Sequence, residues 1–175
     1  MHPTRIAPSL LACDFARLAD EIARIEQAGA DWLHVDVMDG HFVPNLTIGP
    51  PVVAAMKAVA TQPLDVHLMI EDPWNYADAF LDAGADILTF HLEVSERGDP
   101  MALIETIHAR GAKAAMAINP PADLSDLAAF LPALDMVLVR SVFPGFGGQS
   151  FMPEVLGNVT RLRNELGFTG EIEMD

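Results

Sequence analysis

The chain reads as an α/β protein built from repeated βα units, and three observations carry that reading. Short β-type runs begin near Ile6, Trp32, Leu64, Ile87, Ala114, Met136 and Ile172, with helix-type segments between them. The runs are apolar on both faces, as in Met136-Val137-Leu138-Val139, the habit of parallel strands buried under helices. Polar residues with metal-binding chemistry fall at the C-terminal ends of several different runs. Barrel enzymes assemble their sites at those ends, so a (β/α)₈ TIM barrel is expected ahead of a doubly wound open sheet.

The elements follow in order. The run at Ile6 ends in Pro8 and Ser9. Asp14 is placed to cap a helix carrying Leu18, Ile22 and Ile25 on one stripe, with Asp20, Glu21, Arg24 and Glu26 elsewhere. That helix stops at Gly29. Ala28-Gly29-Ala30-Asp31 leads into the second strand, and Ala83-Gly84-Ala85-Asp86 leads into the fourth, an internal echo in which each glycine serves as a helix C-cap. Prolines at 44, 50, 51, 73, 120, 121 and 144 fall at connections, where they interrupt no ladder. The count is seven strands, and the chain ends as the seventh ends. The expectation is therefore one domain over residues 1–175, a barrel truncated after its seventh strand with its C-terminal βα unit missing. Its first and seventh strands would have unpaired edges.

Composition narrows the function classes. At 175 residues and 51% hydrophobic, the chain is long enough and apolar enough for one sizeable core. Ten Lys plus Arg against 25 Asp plus Glu give a net charge of −15, which disfavours nucleic acid and anionic membranes. An anionic substrate would then be captured by local devices: a metal, helix N-termini or backbone amides. One cysteine, Cys13, permits no internal disulfide and fits a reducing compartment. No apolar run reaches membrane-spanning length, and the N-terminus lacks a signal-peptide core, so the expected location is the cytoplasm.

The chemistry is concentrated in Leu33-His34-Val35-Asp36-Val37-Met38-Asp39-Gly40. Strand side chains alternate faces, so His34 and Asp36 project together. The next strand end offers His67 in Leu64-Asp65-Val66-His67-Leu68-Met69, and Asp175 ends the last run. Alone, each is as well read as a hydrogen-bonded core residue. Together they make two imidazoles and two carboxylates, and a divalent cation would satisfy all four inside a packed barrel. Such a set suits Zn, Fe(II), Mn or Co. Asp36 and Asp175, on opposite sides of a flat intermediate, could remove a proton from one face of a carbon next to a carbonyl and return it on the other. The metal would stabilise the enediolate between.

A second device is Val142-Phe143-Pro144-Gly145-Phe146-Gly147-Gly148-Gln149. Its three glycines in four residues let backbone amides converge on an anion, a phosphate cradle whose alternative is an ordinary flexible loop. Ser9 is placed either to contact substrate or to start a helix. His91 and Glu93 repeat the i, i+2 pattern on the fourth strand, as outer partners or as a plain core pair. Met38, Met69 and Met116 are candidates for an apolar wall, or simply packing.

These segments together closely resemble the ribulose-phosphate 3-epimerase family. The resemblance is carried by Ile6-Ala7-Pro8-Ser9-Leu10-Leu11-Ala12-Cys13-Asp14-Phe15, by His34 through Asn45, by Asp65-Val66-His67-Leu68-Met69, and by Pro144-Gly145-Phe146-Gly147-Gly148-Gln149. It implies an isomerase of pentose phosphate metabolism that converts D-ribulose 5-phosphate to D-xylulose 5-phosphate. It further implies one divalent metal on His34, Asp36, His67 and Asp175, with Asp36 and Asp175 as the acid/base pair. Substrate contacts would come from Ser9, His67, Gly145, Phe146, Gly147 and Gly148, and the family commonly forms homo-oligomers.

The chain departs from the family pattern at three places. It stops before the two glycines and the eighth strand that follow the second aspartate. Arg140 stands where a third methionine is usual, and Phe143 where Asn or Glu is usual. Arg140, with Met38 and Met69, is therefore the place to look for substrate specificity. The alternatives are a hexulose-phosphate 3-epimerase, such as one acting on D-allulose 6-phosphate, and a non-catalytic sugar-phosphate-binding protein. A decarboxylase or aldol-type relative is disfavoured because Asp36-Val37-Met38-Asp39 contains no lysine. The only lysines, Lys57 and Lys113, sit at no catalytic-looking strand end.

Overall fold

The computed structural model describes residues 4–120, 124–142 and 150–175. Six parallel strands form one sheet in sequential order. They are β1 (Leu33–Met38), β2 (Leu64–Met69), β3 (Ile87–His91), β4 (Lys113–Ile118), β5 (Met136–Val139) and β6 (Glu171–Met174). α1 (Leu18–Gln27) precedes β1, and between successive strands run α2 (Pro50–Lys57), α3 (Pro73–Asp82), α4 (Pro100–Ala109), α5 (Leu124–Leu127) and α6 (Leu156–Asn164). Such strictly sequential parallel order requires a crossover helix at each step. The sheet is curled. Arg5, just before β1's neighbouring segment, pairs with Glu171 of β6 at 2.6 Å, and His34 of β1 lies 3.4 Å from Glu173 of β6. Residues at opposite ends of the strand order therefore meet, as they do in the barrel the sequence predicts.

One expected strand is not a regular strand. The segment from Ile6 lies along β1 but makes only a single bridge, Ser9 to His34. Its carbonyls accept: Ile6 takes the N–H groups of Asp31 and Trp32, and Pro8 takes that of His34. Pro8 has no N–H to give back, so the ladder is one-sided. The other six strands form where expected.

The capping readings hold with one shift. Asp14 accepts from Ala16 N–H and opens a short 3₁₀ turn, Phe15–Arg17, which then leads into α1. Ile22 of the predicted stripe is fully buried, with Leu18 and Ile25 packed partly buried beside it. Gly29 and Gly84 both follow helices with positive φ, +94° and +99°. That left-handed geometry ends each helix and sends the chain into the next strand.

The main core lies between sheet and helices, with Phe90, Leu88, Met116 and Val137 on the sheet side and Ile22, Val53, Phe80 and Ile104 on the helices. No helix among the described residues is long and apolar enough to cross a membrane.

Candidate metal centre

Alternation along the strands decides which polar residues face inward. On β1, His34 and Asp36 share a face. Register then places Asp36 opposite His67 and His34 opposite Asp65 on β2. On β6, Glu173 pairs with Leu138, and Asp175 follows two residues on, so both lie on one face. Asp175 is pinned because its carbonyl accepts both the N–H of Ser141, at 2.5 Å, and its hydroxyl, at 2.8 Å. Thr47 braces the end of β1, donating its hydroxyl to the Asp36 carbonyl at 2.8 Å and accepting Met38 N–H at 2.9 Å.

The four sequence candidates come together. His34, Asp36, His67 and Asp175 each offer a ligand atom within 4.8 Å of all the others. His34 Nε2 and His67 Nδ1 each lie 3.4 Å from the same Asp36 oxygen, Oδ1. Neither nitrogen has a hydrogen-bond partner among the described residues, and neither has Asp175 Oδ2. Three buried polar atoms thus converge without satisfaction, a costly arrangement in a packed interior. A tetrahedral set of N and O donors at about 2.1 Å from a cation stands about 3.4 Å apart. The donor chemistry and spacing fit a divalent metal held by these four residues.

The electrostatics follow from the crowding. Burial alone would push the Asp36 carboxyl up, but the two imidazoles beside it hold it far below the ordinary carboxylate range. For His34, burial disfavours the charged form, yet Asp65, Asp36 and Glu173 outweigh it and raise its basicity well above the usual value. His67 is pulled below its ordinary value, chiefly by burial and partly by His34 and Arg140. His91 is drawn down to about 4, mainly by burial.

The remaining expectations fall out unevenly. Ser9 takes the helix-starting role and also touches the candidate ligand set. Its oxygen accepts Leu11 N–H at the start of the 3₁₀ turn Leu10–Ala12, and its hydroxyl donates to Asp36 Oδ2 at 2.5 Å. Met38 and Met69 form a small buried cluster with Val43, edged by Leu11 and Phe42. Met116 is not part of that wall. On β4 it is one residue out of phase with the inward face and packs instead in the main core. Arg140 is buried, its Nη1 donating to Met69 Sδ at 3.0 Å and its Nη2 lying 3.4 Å from Asp175 Oδ2. The glycine loop with Gly145, Phe146, Gly147 and Gly148 lies outside the described residues, as does Phe143.

Two functional-looking residues escaped the sequence reading. Asp65 is fully buried and accepts from His34 Nδ1 at 2.6 Å. Glu173 approaches the same nitrogen at 3.4 Å. Both carried a signal of the kind that exposed His34, namely a polar residue two positions from a candidate ligand within an apolar strand.

Comparison with known proteins now decides the family. The model of the ribulose-phosphate 3-epimerase family matches residues 5–175. The chain belongs to that family. Ribulose-phosphate 3-epimerase from Mycobacterium bovis is 54% identical over 158 residues, covering 90% of this chain and 67% of the relative. The Synechocystis protein of the same name is 47% identical over 173 residues, covering 97% of this chain and 75% of the relative. A chloroplastic ribulose-5-phosphate-3-epimerase of Arabidopsis thaliana is 44% identical, covering 97% of this chain and 62% of its own length. Epimerases are isomerases, so the family fixes the enzyme class. A dihydropteroate synthase from Xanthomonas albilineans aligns with a TM-score of 0.56 over 97% of this chain and 70% of its own, at 16% identity, a likeness of fold alone.

Proposed function

We propose that this chain catalyses metal-dependent epimerisation at C3 of a ketose phosphate, taking D-ribulose 5-phosphate to D-xylulose 5-phosphate. The observation that carries the reading is the meeting of Asp36 and Asp175, from opposite ends of the strand order, around two imidazoles with unsatisfied inward nitrogens. Asp36 is held ionised at neutral pH, the protonation state a general base needs. In this reading it takes the C3 proton from one face of the sugar, leaving a planar enediolate. Asp175 delivers a proton to the other face, and the two exchange roles in the reverse direction.

His34, Asp36, His67 and Asp175 would hold one divalent cation, Zn, Fe(II), Mn or Co. When bound, the cation supplies positive charge that stabilises the enediolate oxygens. Ser9, donating to Asp36, keeps that carboxylate aimed and stands where a sugar hydroxyl can reach it. His67 would contact substrate as well. Gly145, Phe146, Gly147 and Gly148 would cradle the phosphate through backbone amides. Met38 and Met69 line an apolar side of the reaction space.

Arg140 favours a second substrate reading. A buried guanidinium with its Nε unpartnered, 3.4 Å from Asp175, is a fixed cation beside the proposed acid. It suits an extra substrate oxygen, as in a hexulose phosphate such as D-allulose 6-phosphate.

A coupled assay of D-ribulose 5-phosphate epimerisation, run with and without a chelator, tests the proposal. Turnover lost to the chelator and restored by a divalent metal is the expected result. Turnover indifferent to the chelator would overturn the metal reading. Sugar-phosphate binding without turnover on either ketose phosphate would mark a binding protein.

A further inference from the structure

Behind His67, away from the other three candidate ligands, a second imidazole and a carboxylate continue the line of contacts. His67 Nε2 is 2.8 Å from His91 Nε2, and His91 Nδ1 is 3.0 Å from Glu93 Oε2. The other Glu93 oxygen accepts Asn119 N–H at 2.8 Å. His91 is wholly buried, its ring against Phe42, and it meets His67 edge to edge, the two ring planes within 21° and their centroids 5.0 Å apart. The proposed reaction uses neither His91 nor Glu93.

The geometry points to His91 and Glu93 as positioning residues that set the tautomer of His67, so that its bare Nδ1 faces the metal centre. This rests on the metal reading above. Two neutral imidazoles in series can be polarised in either direction. A carboxylate accepts and does not donate, so Glu93 requires the proton of His91 to sit on Nδ1. That leaves His91 Nε2 with a lone pair, which requires His67 to donate from its own Nε2. His67 Nδ1 is then unprotonated, and it is the nitrogen that lies 3.4 Å from Asp36 with no hydrogen-bond partner. The opposite polarity would put a hydrogen on Nδ1, where no cation could be ligated. Outer hydrogen bonds of this kind fix ring orientation and donor strength at metal sites. On the other imidazole, Asp65 accepts from His34 Nδ1 in one step and so fixes the ring with Nε2 turned toward Asp36.

The relay makes an unusual prediction for a near-isosteric change. In Glu93→Gln the amide oxygen can keep the Asn119 N–H, which turns the amide NH₂ toward His91 Nδ1. The whole line then reverses, and a hydrogen arrives on His67 Nδ1. Glu93→Asp keeps an acceptor and so keeps the direction.

The test uses the full chain and two readouts. In metal-free protein, long-range ¹H–¹⁵N NMR of the histidine rings should show His67 protonated on Nε2, and on Nδ1 in Glu93→Gln. Co²⁺ affinity, measured by competition with a chelator, should fall by about tenfold or more in Glu93→Gln. Glu93→Asp should stay close to the unaltered chain. A wild-type His67 carrying its proton on Nδ1, or Glu93→Gln binding Co²⁺ as tightly as the unaltered chain, overturns the inference and leaves the metal reading standing. Failure of the unaltered chain to bind Co²⁺ overturns the metal reading, and this inference with it.

Discussion

Replacing Glu173 by Gln should flatten the pH dependence of stability in the metal-free chain. Glu173 sits among Asp65, which is fully buried, and the His34 ring. Burial and the Asp65 charge push its carboxyl from an ordinary 4.5 to about 7. Between those values the folded chain keeps a proton that the unfolded chain has released, so stability falls as pH rises through that window. The loss amounts to about 3 kcal/mol by pH 8, of which roughly 2 kcal/mol accrues between pH 5.5 and pH 8. His34 adds to the decline with the same sign. Its raised basicity stabilises the fold below the unfolded value, and that contribution is lost as pH rises through the folded one. Gln cannot ionise and removes the Glu173 part. Thermal unfolding of both proteins at pH 5.5 and pH 8, in chelator, is the assay. The advantage of Glu173→Gln over the unaltered chain should grow by roughly 2 kcal/mol between those two conditions, or about 4–8 °C in Tm. An unchanged difference between the two would refute this account of the buried carboxylates.

Two further outcomes follow from particular contacts. Arg140→Met should change the ratio of kcat/KM between pentulose and hexulose phosphates by about tenfold or more, because it removes a buried charged donor beside Asp175. An unchanged ratio would dismiss Arg140 as a specificity residue. Gly84→Ala should cost about 1–3 kcal/mol of stability. Its φ of +99° strains any side chain, and the new Cβ would stand 2.5 Å from Lys57 Cγ. Gly29→Ala, with φ +94° but nothing within 4 Å, should cost less. Equal losses in denaturant melts would show that Lys57 yields freely.

Much of the site was legible because strand alternation is a rigid rule. His34 and Asp36 had to share a face, and His67 and Asp175 stood near the ends of two other runs of the same kind. Register was not legible. That Asp36 stands opposite His67, and His34 opposite Asp65, depends on how β1 and β2 align, which neither strand encodes alone. Met116 shows the cost of missing phase, since one residue separates the inward face of β4 from the helix-facing core. The segment from Ile6 read as a strand by its apolar content, while Pro8 removed the donor that a full ladder needs. Arg140 was visible as an anomaly, but while Asp175 follows the adjacent strand β6, its other partner, Met69, lies on β2 and only the curl of the sheet brings the two together. Asp65 and Glu173 were readable by the same alternation, had it been applied to every polar strand residue.

The central claim is that Asp36 and Asp175 work on opposite faces of one carbon. The most direct measurement follows deuterium from D₂O into C3 of D-ribulose 5-phosphate and D-xylulose 5-phosphate, with the metal-loaded chain and with Asp36→Asn and Asp175→Asn. The account predicts deuterium at C3 of the product with the unaltered chain. Each variant should lose epimerisation, and any exchange it retains should be confined to one epimer, a different one for each variant. Epimerised product free of deuterium, or undiminished turnover in either variant, would contradict it.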